Sequence, residues 1–131
     1  MDLKYEVKTN KPFETAVEDL KKTLSNNSFG VLWELDFKDK LAEKGLDFQG
    51  HFKVLEVCNP KQAKEVLELQ VEVGYFLPCK VVVYEKEKSV YMGMLRPTSL
   101  IGMMEHEQLL SVAQQVESVL KIALDESCLK T

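Results

Sequence analysis

Three patterns in this sequence predict an α+β fold, an antiparallel or mixed sheet of about five strands with helices packed on one face. Short stretches of period-2 apolar alternation recur along the chain. They are interleaved with stretches whose apolar residues fall at helical spacing. The run "KVVVYEKEKSVYMGMLR" (80–96) reads as two strands joined by a charged hairpin, so the sheet is antiparallel or mixed. The 131 residues are the length of one domain, spanning 1–131. A domain of that size buries roughly two-thirds of its unfolded surface and needs no disulfide or metal to fold.

Residues 3–8 (LKYEVK) set Leu3, Tyr5 and Val7 against Lys4, Glu6 and Lys8, the mark of a half-buried strand. Thr9 or Asn10 is the expected cap of a first helix, with Pro12 in its first turn and Phe13, Ala16, Val17, Leu20 and Leu24 on one stripe. Asn26-Asn27-Ser28 stops it. Residues 29–37 alternate again, placing Phe29, Val31, Trp33, Leu35 and Phe37 on one face and Glu34 and Asp36 on the other. Asp36 and Asp39 open a short helix through Lys44, closed by Gly45, and 45–50 is a loop.

A third, mostly apolar strand covers 51–58 (HFKVLEVC). Asn59, Pro60 and Gln62 then match a helix start, as cap, first-turn proline and reciprocal partner. This helix turns Ala63, Val66 and Leu67 inward and ends near Gln70, with a turn at Val73-Gly74. Strands follow at 80–85 and 90–96 around the Glu85–Ser89 turn, and Pro97–Met104 is a connection. A final helix from about Glu105 to Asp125 carries Leu109, Val112, Ala113, Val116, Leu120, Ala123 and Leu124 along one stripe.

Charge and composition exclude several function classes. The net charge is −4 with both signs interspersed, and no basic stripe offers itself to a phosphate backbone, so nucleic-acid binding is not expected. No apolar run approaches the roughly 18 residues of a membrane span, and "MDLKYEVK" lacks the apolar stretch of a secretory signal. A cytoplasmic location is the default. Three cysteines, an odd number in a reducing compartment, argue against a disulfide framework.

The chemistry-bearing residues gather in "VCNPKQAKEVLELQVEVGYFLPCK" (57–80), where two cysteines each stand close to a proline. Cys58 sits just before a helix cap, where backbone N–H groups and the helix dipole favour a thiolate. That effect is worth about 0.3–1 kcal/mol, less than one pKa unit, and makes no nucleophile by itself. Cys79 follows Pro78 into the next strand, and no C-x-x-C motif is present. Packing is the ordinary role of a free cysteine; lining a pocket and thiol chemistry are the sharper alternatives. Cys58, Asn59, Pro60, Pro78 and Cys79 are therefore the candidate pocket residues.

Cys58, Cys79, His51 and His106 lack metal-ligand spacing, so no metal site is predicted. His106 reads as an exposed helix-start residue and "EKEK" (85–88) as a solvated turn. The Met-rich stretch 92–104 suits adaptable core, a dimer contact or the lining of an apolar pocket. Gly93 inside a strand marks a bulge or a close backbone approach, and Arg96 is a lone candidate for an anion. There is no phosphate-binding glycine loop, no Ser-His-Asp order and no convincing carboxylate pair, and no cofactor can be named.

"VCNPKQAKEVLE" (57–68), "FLPCKVVVYE" (76–85) and "VYMGMLRP" (90–97) resemble the core pattern of a bacterial and archaeal family, domain of unknown function 302. The stretch 11–41 is similar to that family's opening helix and second strand, so the resemblance covers nearly the whole chain. It implies a TATA-binding-protein-like arrangement, often paired as dimers, and no established reaction. DNA binding does not follow from such a fold. The expectation is a homodimeric, non-enzymatic module that binds a small apolar or planar ligand or a partner protein. The rival is a thiol-dependent enzyme or redox sensor using Cys58 and Cys79.

Overall fold

The structure is a computed structural model that describes residues 3–129. Five strands, β1 (Lys4–Thr9), β2 (Gly30–Asp36), β3 (Phe52–Cys58), β4 (Cys79–Lys86) and β5 (Ser89–Leu95), form one sheet in the order β1-β5-β4-β3-β2. Every neighbouring pair is antiparallel. The helices are α1 (Phe13–Asn26), α2 (Phe37–Glu43), α3 (Pro60–Leu69), α4 (Pro97–Ile101) and α5 (Glu107–Leu129), with 3₁₀ turns at Val71–Phe76 and Gly102–Met104. This is the α+β class the sequence predicts, and it is compatible with the arrangement that the resemblance implies.

α1 and α5 pack on each other and on one face of the sheet. Leu20 and Leu24 of α1, Leu120 and Leu124 of α5, and Leu55, Val81 and Met92 of the sheet are all fully buried in one cluster. Burial of each such side chain stabilises the fold by about 1.5–3 kcal/mol. Thr23 donates its hydroxyl hydrogen to the Ala123 carbonyl at 2.9 Å, joining the two helices at a buried point. A second cluster, Val66, Val73, Ile101, Leu109, Val112 and Ala113, lies where α3, α4 and α5 meet. The turn between β4 and β5 is Glu87-Lys88, both with left-handed φ (51° and 68°), the geometry of a tight hairpin whose twist matches the strands.

The structure departs from the sequence expectations at several points, each for a local reason. No side chain caps α1; Pro12 holds the cap position, and the Thr9 hydroxyl instead accepts from the Lys11 amide at 3.2 Å. A register shift between Val31 and Trp33 breaks the alternation of β2. It leaves Phe29 and Val31 in the core but turns Trp33 outward, 51% exposed. Glu34, pointing to the helix side, takes ion pairs from Lys21 and Lys53 instead. An edge strand tolerates such a bulge because only one neighbour constrains its register.

Leu67 is not inward; Val66 and Leu69 carry the apolar face of α3. The turn at Val73-Gly74 is a 3₁₀ segment whose Val73 is fully buried, and 97–104 is helical rather than a plain connection. α5 starts at Glu107 and runs on to Leu129, with His106 accepting the Leu109 amide at its Nδ1. Gly93 is no bulge, since it keeps regular register with Glu6 and Val82. It marks a close approach: a Cβ there would stand 2.8 Å from the Tyr5 carbonyl oxygen.

Candidate functional site

The ends of β3 and β4 bring the two cysteines to one corner. Val57 pairs directly with Cys79, so Cys58 is one residue out of step with it. Asn59 then caps α3, its Oδ1 accepting from the Gln62 amide at 3.2 Å, and Pro60 occupies the first turn. The reciprocal bond expected from the Gln62 side chain does not form. Its Oε1 is buried without any hydrogen-bond partner. A buried carbonyl oxygen left unpaired costs about 1–3 kcal/mol relative to one that is satisfied.

That oxygen belongs to a residue lining a narrow apolar cleft. Cys58, Asn59, Gln62, Ala63 and Val66 form one wall, and Leu77, Pro78 and Cys79 form another. Phe29 and Val57 come from the sheet, Pro97 and Ile101 from α4, and Val112, Ala113 and Val116 from α5. Four of the five candidate residues, Cys58, Asn59, Pro78 and Cys79, therefore share one cleft, whereas Pro60 is not among its lining. The cleft has about 40 Å³ of water-accessible space, enough for a methyl-sized group or a water. Behind Leu77, Pro78, Cys79, Pro97 and Ile101 lies a wider hollow of about 350 Å³, bordered also by Glu56, Tyr75, Lys80 and Leu95.

Burial pushes both thiols up from their ordinary range, Cys79 to about 11, with the nearby Cys58 adding to the effect. For Cys58 this is opposite to the small lowering expected from the helix dipole. The dipole is a weak force, and loss of water costs a thiolate more. All three cysteines are free. His51 stacks on Phe13 at 4.9 Å and His106 caps α5. Among the described residues no group of three or more His, Cys, Asp or Glu is placed to hold a metal.

One wall of the cleft is tied down by a charged network. The Glu117 carboxylate, 5% exposed, accepts from the Thr98 amide at 3.0 Å, the Thr98 hydroxyl at 2.6 Å and Arg96 Nε at 3.0 Å. Arg96, read from the sequence as a lone anion candidate, is thus already paired. Burial alone would raise the Glu117 carboxyl, but the bonds from Thr98 and Arg96 outweigh it and hold it below the usual range. Sequence periodicity hides Glu117 because it lies beside the apolar stripe of α5. Gln62 was legible only as a capping residue, and nothing local marks its side chain as lining a cleft.

Residues 5–127 match the model of the family described as "Domain of unknown function DUF302". The chain belongs to this family. A crystal structure of an uncharacterised conserved DUF302 protein from Bacillus stearothermophilus is 41% identical, with a TM-score of 0.92 over 98% of this chain and 99% of that one. No curated protein matches the chain. In this DUF302 protein, no helix among the described residues is long and apolar enough to cross a membrane.

Proposed function

We propose that this DUF302 protein is a single-domain, cytoplasmic, non-enzymatic module that binds a small apolar or planar molecule in the Cys58–Cys79 cleft and works as a homodimer. The observation that carries the reading is the buried, unpartnered Gln62 Oε1 in an otherwise apolar cleft. Binding sites combine apolar walls with a few placed polar groups. An acceptor without a donor selects a ligand that brings an N–H or O–H. The volume favours a methyl-sized group or the edge of a small ring. Val71, Tyr75 and Met103, all well exposed, supply apolar surface for a second copy.

Pyrrole and furan test the ligand half, since the two rings match in size and only pyrrole carries a donor. Amide spectra of the labelled protein are expected to show saturable shifts at Ala63, Val66 and Val112 with pyrrole and weaker ones with furan. Gln62→Leu is expected to remove the difference. Equal responses to both rings, or none at millimolar concentration, overturn the reading. Sedimentation of the purified protein tests the homodimer, and a strictly monomeric species counts against it.

The alternative, a thiol-dependent enzyme or redox sensor using Cys58 and Cys79, has the shared cleft in its favour. It has the raised thiols against it, because only the thiolate is a nucleophile.

A further inference from the structure

We propose that the sheet face turned away from α1 and α5 carries a second site, a groove for a planar aromatic anion. Tyr5 of β1 donates its hydroxyl hydrogen to Asp125 of α5, which fixes the helix side of the sheet. Lys4 and Glu6, its neighbours, therefore face the other way. Strand register arranges that open face in three rows. Phe52, Tyr84 and Tyr91 are successive cross-strand partners and form the first. Val54, Val82, Gly93 and Glu6 form the second, and Glu56, Lys80, Leu95 and Lys4 stand along the third. Rows two residues apart on a strand are about 7 Å apart, so the first and third rows flank a trough about 13 Å across.

The middle row is low. Gly93 brings no side chain, so bare backbone lies between Val82 and Glu6. The result is a hollow of about 330 Å³, within the size range of small-molecule sites. Its aromatic wall is organised in advance. Phe52 and Tyr84 stack at 5.3 Å and 14°, and Tyr84 and Tyr91 at 5.4 Å and 23°. Tyr84 donates its hydroxyl hydrogen to Glu6 Oε2, while Lys4 pairs with Glu6 Oε1 at 3.3 Å. Burial and Glu6 push the Tyr84 hydroxyl to about 12, so it stays a neutral, committed donor. Glu6 still lines the hollow, and the Lys4 ion pair offsets its charge there.

Lys80 is the group left over. Its cross-strand neighbour is Glu56, yet no ion pair joins them, and no partner for Lys80 is found among the described residues. A flat ring against Phe52 and Tyr84 with an anionic group reaching Lys80 uses both features. Edge-to-face contact with the ring row contributes affinity and the ammonium contributes orientation. A neutral or cationic ring would leave Lys80 unanswered. The occupant is therefore an aromatic carboxylate or phosphate.

The test is a titration of the intact protein with naphthoate, with naphthalenemethanol as the neutral ring and acetate as the ringless anion. Naphthoate is expected to shift the Val82, Gly93 and Met94 amides saturably and to leave Ala63 and Val112 in place, which separates this groove from the Cys58–Cys79 cleft. Lys80→Gln, an exposed substitution, is expected to weaken naphthoate about tenfold. The same variant should leave naphthalenemethanol unchanged. Phe52→Leu weakens both rings. The proposal is overturned by equal affinity for naphthoate and naphthalenemethanol, or by the absence of saturable shifts at these amides. It is also overturned if the same amides shift with protein concentration alone, which places a second copy on this face.

Discussion

Replacing Glu117 by glutamine probes how the cleft wall is held. The substitution keeps the side chain's shape but removes the charge that Arg96 and Thr98 share. Hydrogen bonds to a charged group contribute about 1.5–3 kcal/mol each, and breaking a buried pair outright costs about 3–5 kcal/mol. Arg96 is 31% exposed, so water recovers part of its loss. Glutamine can still accept from Thr98. The expected cost at pH 7 is therefore about 1.5–3 kcal/mol, the lower part of that span. Near the midpoint, a chain of this length loses about 4 °C in Tm per kcal/mol.

The pH dependence sharpens this test. The Glu117 carboxyl lies below its ordinary value in the folded state, so its contribution is fully present above the unfolded value of about 4.3. It fades as pH falls through the folded value, where both states become protonated. The stability gap between the native protein and E117Q should thus be full at neutrality and close in acid. Urea unfolding at a series of pH values, with equal m-values in both proteins, reads the gap directly. A gap within about 0.5 kcal/mol at pH 7, or one that does not change in acid, refutes the network as an anchor of α4.

Two further outcomes follow from local geometry. Lys88→Gly should stabilise the protein by about 0.5–1 kcal/mol, because Lys88 adopts φ 68° in the hairpin turn and glycine does so without strain; a loss of stability in thermal melts contradicts this. Cys79, pushed to about 11, should react with iodoacetamide at pH 7 far more slowly than a free cysteine and label fully only in denaturant; rapid labelling of Cys58 or Cys79 in the native protein, read by mass spectrometry, would revive the thiol reading.

Much of the architecture was written locally. Alternation in 3–8 and 80–96, the stripe of α5 and the Asn59-Pro60 helix start each concern residues a few positions apart, and each stands as read. The candidate site was half legible for the same reason: Cys58 and Asn59 end one strand, Pro78 and Cys79 begin the next, and strand pairing brings those ends together. Trp33 and Leu67 were misplaced because their exposure depends on a bulge and on which helix stands opposite, not on their neighbours in sequence.

Sequence alone determined the class of fold, the family and the corner of the molecule where Cys58 and Cys79 stand, since these rest on periodicity and on short motifs. Tertiary structure decided what that corner is. Val112 and Ala113 lie more than fifty positions from Cys58 in sequence, yet they close the cleft above it, and only packing sets the space between them. It also decided the state of the polar groups, leaving Gln62 Oε1 without a donor, giving Glu117 three, and raising both thiols. Burial and partnership are properties of assembled surfaces, and no single stretch of the chain contains them.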